Sequence, residues 1–393
     1  MFSLKDENEL TYKKRGKCLT DATSEELEED LLASVGMIRD KDYTITDIPV
    51  DAGHIHTIEC GHKSLPPLLL IHGYGSGAIF YFKLLSQLKQ RFHVYAIDLF
   101  GMGSSSRPLI KDSGFENVIS FFVDTLELWR VKVGLEKFAL MAHSMGAYIS
   151  THWVQMYNPS IEMLYLLSPA GFTNKDPETE LEGQKTFFMK GAFFQLYNLI
   201  VQKLKLNPFP FLPMGPRTAI RHYFKNRKLD MSAEQKDLLC NYFITNLDKP
   251  ESGERALGVL LKFGRYSEHP ICDILVSLRK SRGYSMPIVL LYGEKDWMDW
   301  EHSLLKAQEL SLGLEIKFIP DSDHQILLQN SQALCDLLIS DLDKGYGLIH
   351  KEILEKHNLW EASHPQNSLH TTGGICDDHK TNQTTMDNSR LSI

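Results

Sequence analysis

The sequence predicts an α/β protein, a mostly parallel sheet with helices on both faces and a helical insertion late in the chain. Three observations carry that prediction. Short apolar runs recur at Leu68–Ile71, Phe92–Ile97, Phe138–Met141, Pro287–Tyr292 and Leu314–Ile319, each of a length suited to a strand buried on both faces. Segments of helical periodicity separate them, and that alternation calls for parallel strands joined by crossover helices. After Leu167 the rhythm stops until Pro287.

Composition narrows the class. Of 393 residues, 43% are apolar, enough for a sizeable core, and large α/β folds of this size often run as one domain. A net charge of −8 gives no reason to expect a nucleic-acid partner. Six cysteines are scattered at Cys18, Cys60, Cys240, Cys272, Cys335 and Cys376 without zinc or redox-motif spacing, the usage of a reducing compartment. The start, MFSLKDENEL, is acidic and reads as neither a secretory signal nor a transit peptide. No apolar run reaches the roughly 18 residues of a membrane span.

Residues 1–42 read as a polar surface arm, with Thr23 and the acidic run behind it capping a short helix. Tyr43–Glu59 alternates apolar and polar residues as a strand pair does. The strand Leu68–Ile71 empties into His72, Gly73, Tyr74, Gly75, Ser76 and Gly77. No Gly-Lys-Ser/Thr follows, so this is not a phosphate loop. Taken alone it is a turn. Paired with a nucleophile, HGYG has the form of an oxyanion-hole loop, with the N–H of Tyr74 as one donor. Ala78–Gln90 reads as a helix. Phe92–Ile97 ends at Asp98, read as a carboxylate that fixes its loop rather than one that reacts. Asn117–Val133 carries helical spacing and leads to the strand FALM.

That strand runs into Ala142, His143, Ser144, Met145 and Gly146, after which the pattern turns helical. Strand, sharp turn and helix with a serine at the tip is the geometry of a nucleophile elbow. Small flanking residues let the strand and helix backbones approach closely. An ordinary strand-to-helix loop fits the same letters. If Ser144 is a nucleophile, the N–H of Met145 is the second oxyanion donor.

Residues 174–283 lack short apolar strands and read as an inserted helical cap. Phe187–Leu206 is crowded with aromatics and lysines, including Phe193 and Phe194. It reads either as a stripe packed on the core or as a lid that lines an acyl tunnel and leans on a membrane surface. Arg217, Arg221 and His222 read either as a solvated helix face or as contacts for a phosphate head group, because guanidinium pairs with phosphate through two parallel bonds. Past the late strand Pro287–Tyr292 stand two acids, Asp296 and Asp299. After the last strand comes His324, followed by a helix over Ile326–Leu342. Serine, acid and histidine in that order suit a Ser–His–Asp relay with His324 as general base. The stretch 344–393 turns polar and reads as a mostly disordered tail.

HGYGSG, AIDLFGMGSSSRP, LELWRVKVGL and AHSMGAY resemble the α/β-hydrolase superfamily. LLSPAGF, MGPRTAIRHYF and SGERALGVLLKFGRYSEHPI narrow this to a lipid-acting branch. That branch holds lysophospholipid and N-acylphospholipid lipases, lysophosphatidate acyltransferases, cardiolipin deacylases and a lipid-droplet lipase coactivator. The resemblance covers roughly Tyr43–Asp343. It implies an α/β-hydrolase fold with an eight-stranded, mostly parallel sheet, the core at 43–173 and 284–343, and a cap between the sixth and seventh strands. It places the acid in GEKD, at Asp296. It implies a serine esterase acting on a phospholipid or lysophospholipid, with no cofactor or metal. An acyltransferase would use the same pocket with acyl-CoA as co-substrate. The coactivator of the branch lacks the elbow serine, so Ser144 argues against a silent scaffold. The branch commonly carries H-x4-D at the histidine; here the run is HQILLQ and Gln329 stands in the acid's place. A cytoplasmic protein peripherally associated with membranes, lipid droplets or mitochondria is the expected setting.

Overall fold

Leu68, Leu69, Leu70 and Ile71 expose no surface, and the alternation of their side chains sorts them between two cores. They lie in β3 (Pro67–Ile71), inside an eight-stranded sheet of order β1-β2-β4-β3-β5-β6-β7-β8. The computed structural model describes residues 22–51, 53–110, 114–174, 200–201, 215–262, 264–282 and 286–345. The other strands are β1 (Tyr43–Val50), β2 (Gly53–Cys60), β4 (His93–Ile97), β5 (Lys137–His143), β6 (Ser160–Leu167), β7 (Ile288–Gly293) and β8 (Glu315–Ile319). β1 and β2 form an antiparallel hairpin, β2 joins β4 antiparallel, and every pairing from β4 to β8 is parallel. Each of the four β3 side chains contributes about 1.5–3 kcal/mol by leaving water.

The helices are α1 (Ser24–Ala33), α2 (Phe82–Leu88), α3 (Phe115–Val133), α4 (Met145–Tyr157), α5 (Pro216–Asn226) and α6 (Ala233–Leu247). They continue with α7 (Leu257–Leu260), α8 (Ile271–Arg282), α9 (Trp300–Glu309), α10 (Ile326–Gln329) and α11 (Ser331–Gly345). Leu69 and Ile71 share one core with α3, α4 and α8; Leu68 and Leu70 share the other with α1, α2, α6 and α11. No helix among the described residues is long and apolar enough to cross a membrane.

Three expectations are corrected in detail. The helix capped by Thr23 forms, with a capping box to Glu26, but it is no surface arm. Leu27, Leu31 and Leu32 are fully buried, and Gln235 of α6 donates to Ser34 Oγ at 3.1 Å. The acidic residues around those leucines masked a stripe that packs on α2 and α6. The helix expected over Ala78–Gln90 begins as a 3₁₀ turn at Ala78–Tyr81, whose Ala78 N–H is accepted by Asp98 Oδ1 at 2.6 Å. The helix expected over Ile326–Leu342 breaks at Asn330, whose φ of −148° and ψ of 63° separate α10 from α11.

The insertion lies between β6 and β7, and its described helices have no core of their own. Ile220, Phe224, Leu238 and Leu239 join the α1–α2 side, whereas Leu257, Leu260, Ile271 and Leu275 join the α3–α4 side. Phe193, Phe194 and the stretch beyond residue 345 lie outside the described residues.

Candidate active site

Ser144 terminates β5 with φ 53° and ψ −120°, a left-handed conformation that costs a side-chain-bearing residue energy. Its surroundings enforce that turn. The Ser144 N–H donates to the Leu167 carbonyl at 2.9 Å, and its own carbonyl accepts from Ala170 N–H at 3.2 Å. Gly146 has to be glycine, because a Cβ there would stand 2.1 Å from the His72 carbonyl oxygen. Ala142 is buried in β5 between Ile71 and Leu166, so the alanine that replaces the usual first glycine fits as a strand residue.

The sheet brings the partners to the same edge. β5, β6, β7 and β8 are neighbours, and ligands in open parallel sheets bind at the carboxyl ends of strands. Asp296 follows β7 and His324 follows β8. Gly293 lets the two loops touch: a Cβ on it would meet the Asp323 carbonyl oxygen at 2.4 Å and that of Ser322 at 2.6 Å. His324 Nε2 lies 3.0 Å from Ser144 Oγ, and Nδ1 lies 3.3 Å from Asp296 Oδ1. With the proton on Nδ1, the ring donates to Asp296 and accepts from the Ser144 hydroxyl. Ser144 and His324 are 7% and 8% exposed and the Asp296 side chain 0%, so water does not screen the row.

Of the two acids, Asp296 and not Asp299 is the one bonded to the His324 ring. Burial alone would raise the Asp296 carboxyl. Hydrogen bonds from His324, Ser168 Oγ and the Met298 N–H, with the nearby imidazole, outweigh it and hold the group below its ordinary value. Asp299 instead caps α9, accepting from His302 N–H at 3.2 Å, and accepts the Tyr266 hydroxyl at 3.2 Å.

The glycine loop runs alongside Ser144. A Cβ on Gly73 would lie 2.9 Å from Ser144 Cβ, so the loop backbone runs against the nucleophile and carries Tyr74 next to it. Met145 opens α4, and its N–H belongs to the first turn, where helical N–H groups lack intrahelical partners. Buried His72 sets the loop: its Nε2 accepts from Leu99 N–H at 2.9 Å and its Nδ1–H donates to Gly73 O at 2.7 Å.

Other positioning residues escaped sequence reading. His143 Nε2–H donates to the His324 carbonyl at 2.9 Å, holding the catalytic backbone. Ser168, itself at φ 46°, anchors Asp296. The Trp297 ring lies 5.1 Å from that of His324. Ser168 stands inside the SPAGF segment and His143 beside the nucleophile, and those positions were the available signals.

The structure does not bring the proposed head-group contacts to the row. Arg217, Arg221 and His222 lie on the exposed face of α5, opposite buried Ile220 and Phe224. Arg217 pairs with Asp248 at 2.6 Å, Arg221 reaches Asn241 at 3.3 Å, and His222 meets Asn226 at 3.0 Å. Asp98 does the structural work expected of it, accepting the N–H groups of Ala78 and Ser104, both at 2.6 Å. With Glu28 and His56 it forms a buried group of possible metal-ligating atoms, the one such group among the described residues. His56 is already bonded there to Glu28 and Asp47, each at 2.9 Å.

The buried histidines make stability depend on pH. Burial, helped by the charge of His324, pushes His143 down to about 3; burial and His269 push His152 down to about 4; burial also lowers His72. His143 and His152 stay neutral in the folded chain at pH 5 but protonate in the unfolded chain as pH falls through about 6.5. Below that, the unfolded state binds more protons, so stability falls by about 1.4 kcal/mol per pH unit for each such histidine. His56 is shifted the other way, since Glu28 and Asp47 outweigh burial; its contribution is complete well below its ordinary value and starts to decline as pH rises through it, a smaller opposing effect at the upper end of the range. Urea unfolding should show a lower midpoint at pH 5 than at pH 7, and His143→Gln should flatten the difference. A midpoint independent of pH between 5 and 7 would contradict this account.

Comparison with known proteins agrees with the fold. The family profile described as alpha/beta hydrolase fold matches residues 66–331. A 1-acylglycerol-3-phosphate O-acyltransferase of Arabidopsis thaliana is 28% identical over 287 residues, covering 71% of this chain and 67% of that protein. A (lyso)-N-acylphosphatidylethanolamine lipase of Mus musculus is 27% identical over 252 residues, covering 62% of this chain and 69% of that protein. The chain thus spans about two thirds of the length of these relatives. The crystal structure of carboxylesterase CesB (YbfK) from Bacillus subtilis superposes with a TM-score of 0.55 at 15% identity, covering 80% of this chain and 95% of that one, a likeness of fold.

Proposed function

This chain belongs to the α/β-hydrolase family, and from that premise we propose that it cleaves acyl esters of glycerophospholipids or lysophospholipids through an acyl-enzyme on Ser144. One observation carries the reading, the hydrogen-bonded row from Asp296 through His324 to Ser144. Ser144 Oγ attacks the ester carbonyl carbon as His324 Nε2 takes its proton, and Asp296 stabilises the imidazolium. The N–H groups of Tyr74 and Met145 receive the oxyanion. The ester C–O bond breaks, and His324 returns the proton to the departing alcohol. Water, deprotonated by His324, then attacks the acyl-enzyme; the fatty acid leaves and Ser144 regains its proton. The lipid class is supported by the names of the relatives, and peripheral contact with a membrane or lipid-droplet surface belongs to the same proposal.

The name of the plant relative favours a second reading, in which the acyl group comes from acyl-CoA and passes to lysophosphatidate. Gln329 weighs toward water as the acceptor. Its amide is tied to Asp323, with Oε1 accepting Asp323 N–H at 2.8 Å and Nε2 donating to Asp323 Oδ2 at 3.0 Å. A neutral amide so engaged does not supply the charge that a carboxylate one helical turn from His324 would.

The purified protein is to be given radiolabelled acyl-CoA with lysophosphatidate in one assay and phospholipid vesicles in water in another. Fatty-acid release should exceed phosphatidate formation. Efficient phosphatidate formation with little hydrolysis would replace the hydrolase reading by the transferase one. Absence of both, with no fluorophosphonate labelling, would leave a non-catalytic scaffold.

A further inference from the structure

The residue before the catalytic histidine is bonded from every side. Asp323 donates its N–H to Gln329 Oε1 at 2.8 Å. Its Oδ1 accepts from Gln325 N–H at 3.0 Å and its Oδ2 from Gln329 Nε2 at 3.0 Å. Its carbonyl oxygen is pressed against Gly293 of the acid-bearing loop. The remaining partner comes from the insertion: Arg227, at the end of α5, pairs its guanidinium with Asp323 Oδ1 and lies 4.8 Å from the centre of the Tyr223 ring. The attachment continues, since Asp230 N–H donates to the Leu328 carbonyl at 2.8 Å and Ser331 Oγ to Asp230 Oδ2 at 3.5 Å. The segment 227–230 is therefore fastened along the same 323–331 stretch that carries His324. His324 itself is anchored from the opposite side by His143.

Of the donors on the Asp323 carboxylate among the described residues, Gln325 and Gln329 lie within the 323–331 stretch itself, and Arg227 alone is cationic and belongs to the insertion. Both side chains of the pair are about one quarter exposed, so the interaction is neither fully screened nor fully buried. With both its backbone N–H and its carboxylate held, Asp323 restricts how far the backbone that continues into His324 can shift.

We propose that Asp323 is a positioning residue for His324, and that Arg227 makes the alignment of the imidazole depend on α5 being seated against the histidine loop. This rests on the relay reading above. Misplacement of a reacting group by about 1 Å can cost roughly a hundredfold in rate without weakening binding. The insertion, on this account, sets the competence of the catalytic base.

The test uses the full chain carrying Asp323→Asn, Arg227→Gln, Arg227→Lys, and Asp323→Asn with Arg227→Gln together. The rate constant and half-saturating concentration for fluorophosphonate labelling are measured, with kcat and KM for a short-chain nitrophenyl ester. Asp323→Asn and Arg227→Gln should each lower the labelling rate constant and kcat by about tenfold to a hundredfold, with KM within about twofold. Arg227→Lys, which keeps the charge, should recover most of the loss. The double variant should lose no more than the worse single one, as residues acting through one contact do. Unlabelled wild type would sink the relay reading itself. Labelled wild type with variants of unchanged rate, with raised KM instead of lowered kcat, or with additive losses would overturn this inference and leave the relay standing. If Asp323→Asn fails to fold, the contrast between Arg227→Gln and Arg227→Lys decides, and equal losses in those two overturn it.

Discussion

Ser144→Ala should abolish fluorophosphonate labelling and lower kcat for ester hydrolysis by about 10⁴-fold or more, while the thermal midpoint stays close to that of the wild type. The size of the loss follows from the chemistry. In the proposed mechanism Ser144 forms the covalent bond to the acyl group, and the elbow points this one side chain at His324 Nε2. The fold should survive because the turn is fixed by backbone bonds from Ser144 N–H to Leu167 and from Ala170 N–H to Ser144, which alanine keeps. Alanine retains the unfavourable left-handed backbone, so no relief of strain is expected either. The oxyanion donors and the binding surface would remain, so residual turnover above the uncatalysed rate is consistent with the mechanism. Retention of most activity would refute the assignment of the nucleophile.

Asp296→Asn should be nearly as damaging, with about 10⁴-fold lost from kcat and little from KM. An amide cannot hold the imidazole with its proton on Nδ1 as a carboxylate does, nor stabilise the positive ring once it has taken the serine proton. The bond from Ser168 to Oδ2 would survive in some form, so the loop should stay in place. Asp299→Asn is the control. That side chain caps α9 and meets Tyr266, and asparagine is about as good an N-cap as aspartate, so the change should cost little stability and leave kcat within a few fold. If Asp299→Asn proves the more harmful of the two in kcat, the acid has been misassigned. Thermal unfolding measured beside the kinetics separates the capping effect from the catalytic one.

What the sequence made legible was local in character. The strands stood out because a strand buried on both faces must be apolar at every position, as β3 and β7 are. The elbow stood out because the turn requires small neighbours, and the acid and base because each follows a strand in a fixed order. Long-range contacts left weaker marks. Nothing near Ser168 announces that its hydroxyl reaches an aspartate 128 residues away, and nothing near Arg227 announces Asp323, 96 residues on. The two readings of α5 drew on different signals. Arg217, Arg221 and His222 were weighed by their charge, whereas the positions of Ile220 and Phe224, one turn apart on the same helix, decide which face turns inward.

The burial of α1 against α6 also bears on synthesis at the ribosome. The first of these helices ends at Ala33 and the second begins at Ala233. At about 5–20 residues per second, translation would take roughly 10–40 seconds to cross that gap. For that interval the nascent chain carries Leu27, Leu31 and Leu32 without the helix that completes their cover, although α2 emerges much sooner. The opening segment is thus made early and secured late. Until it is secured, its leucines are accessible to chaperones and to other unfinished chains.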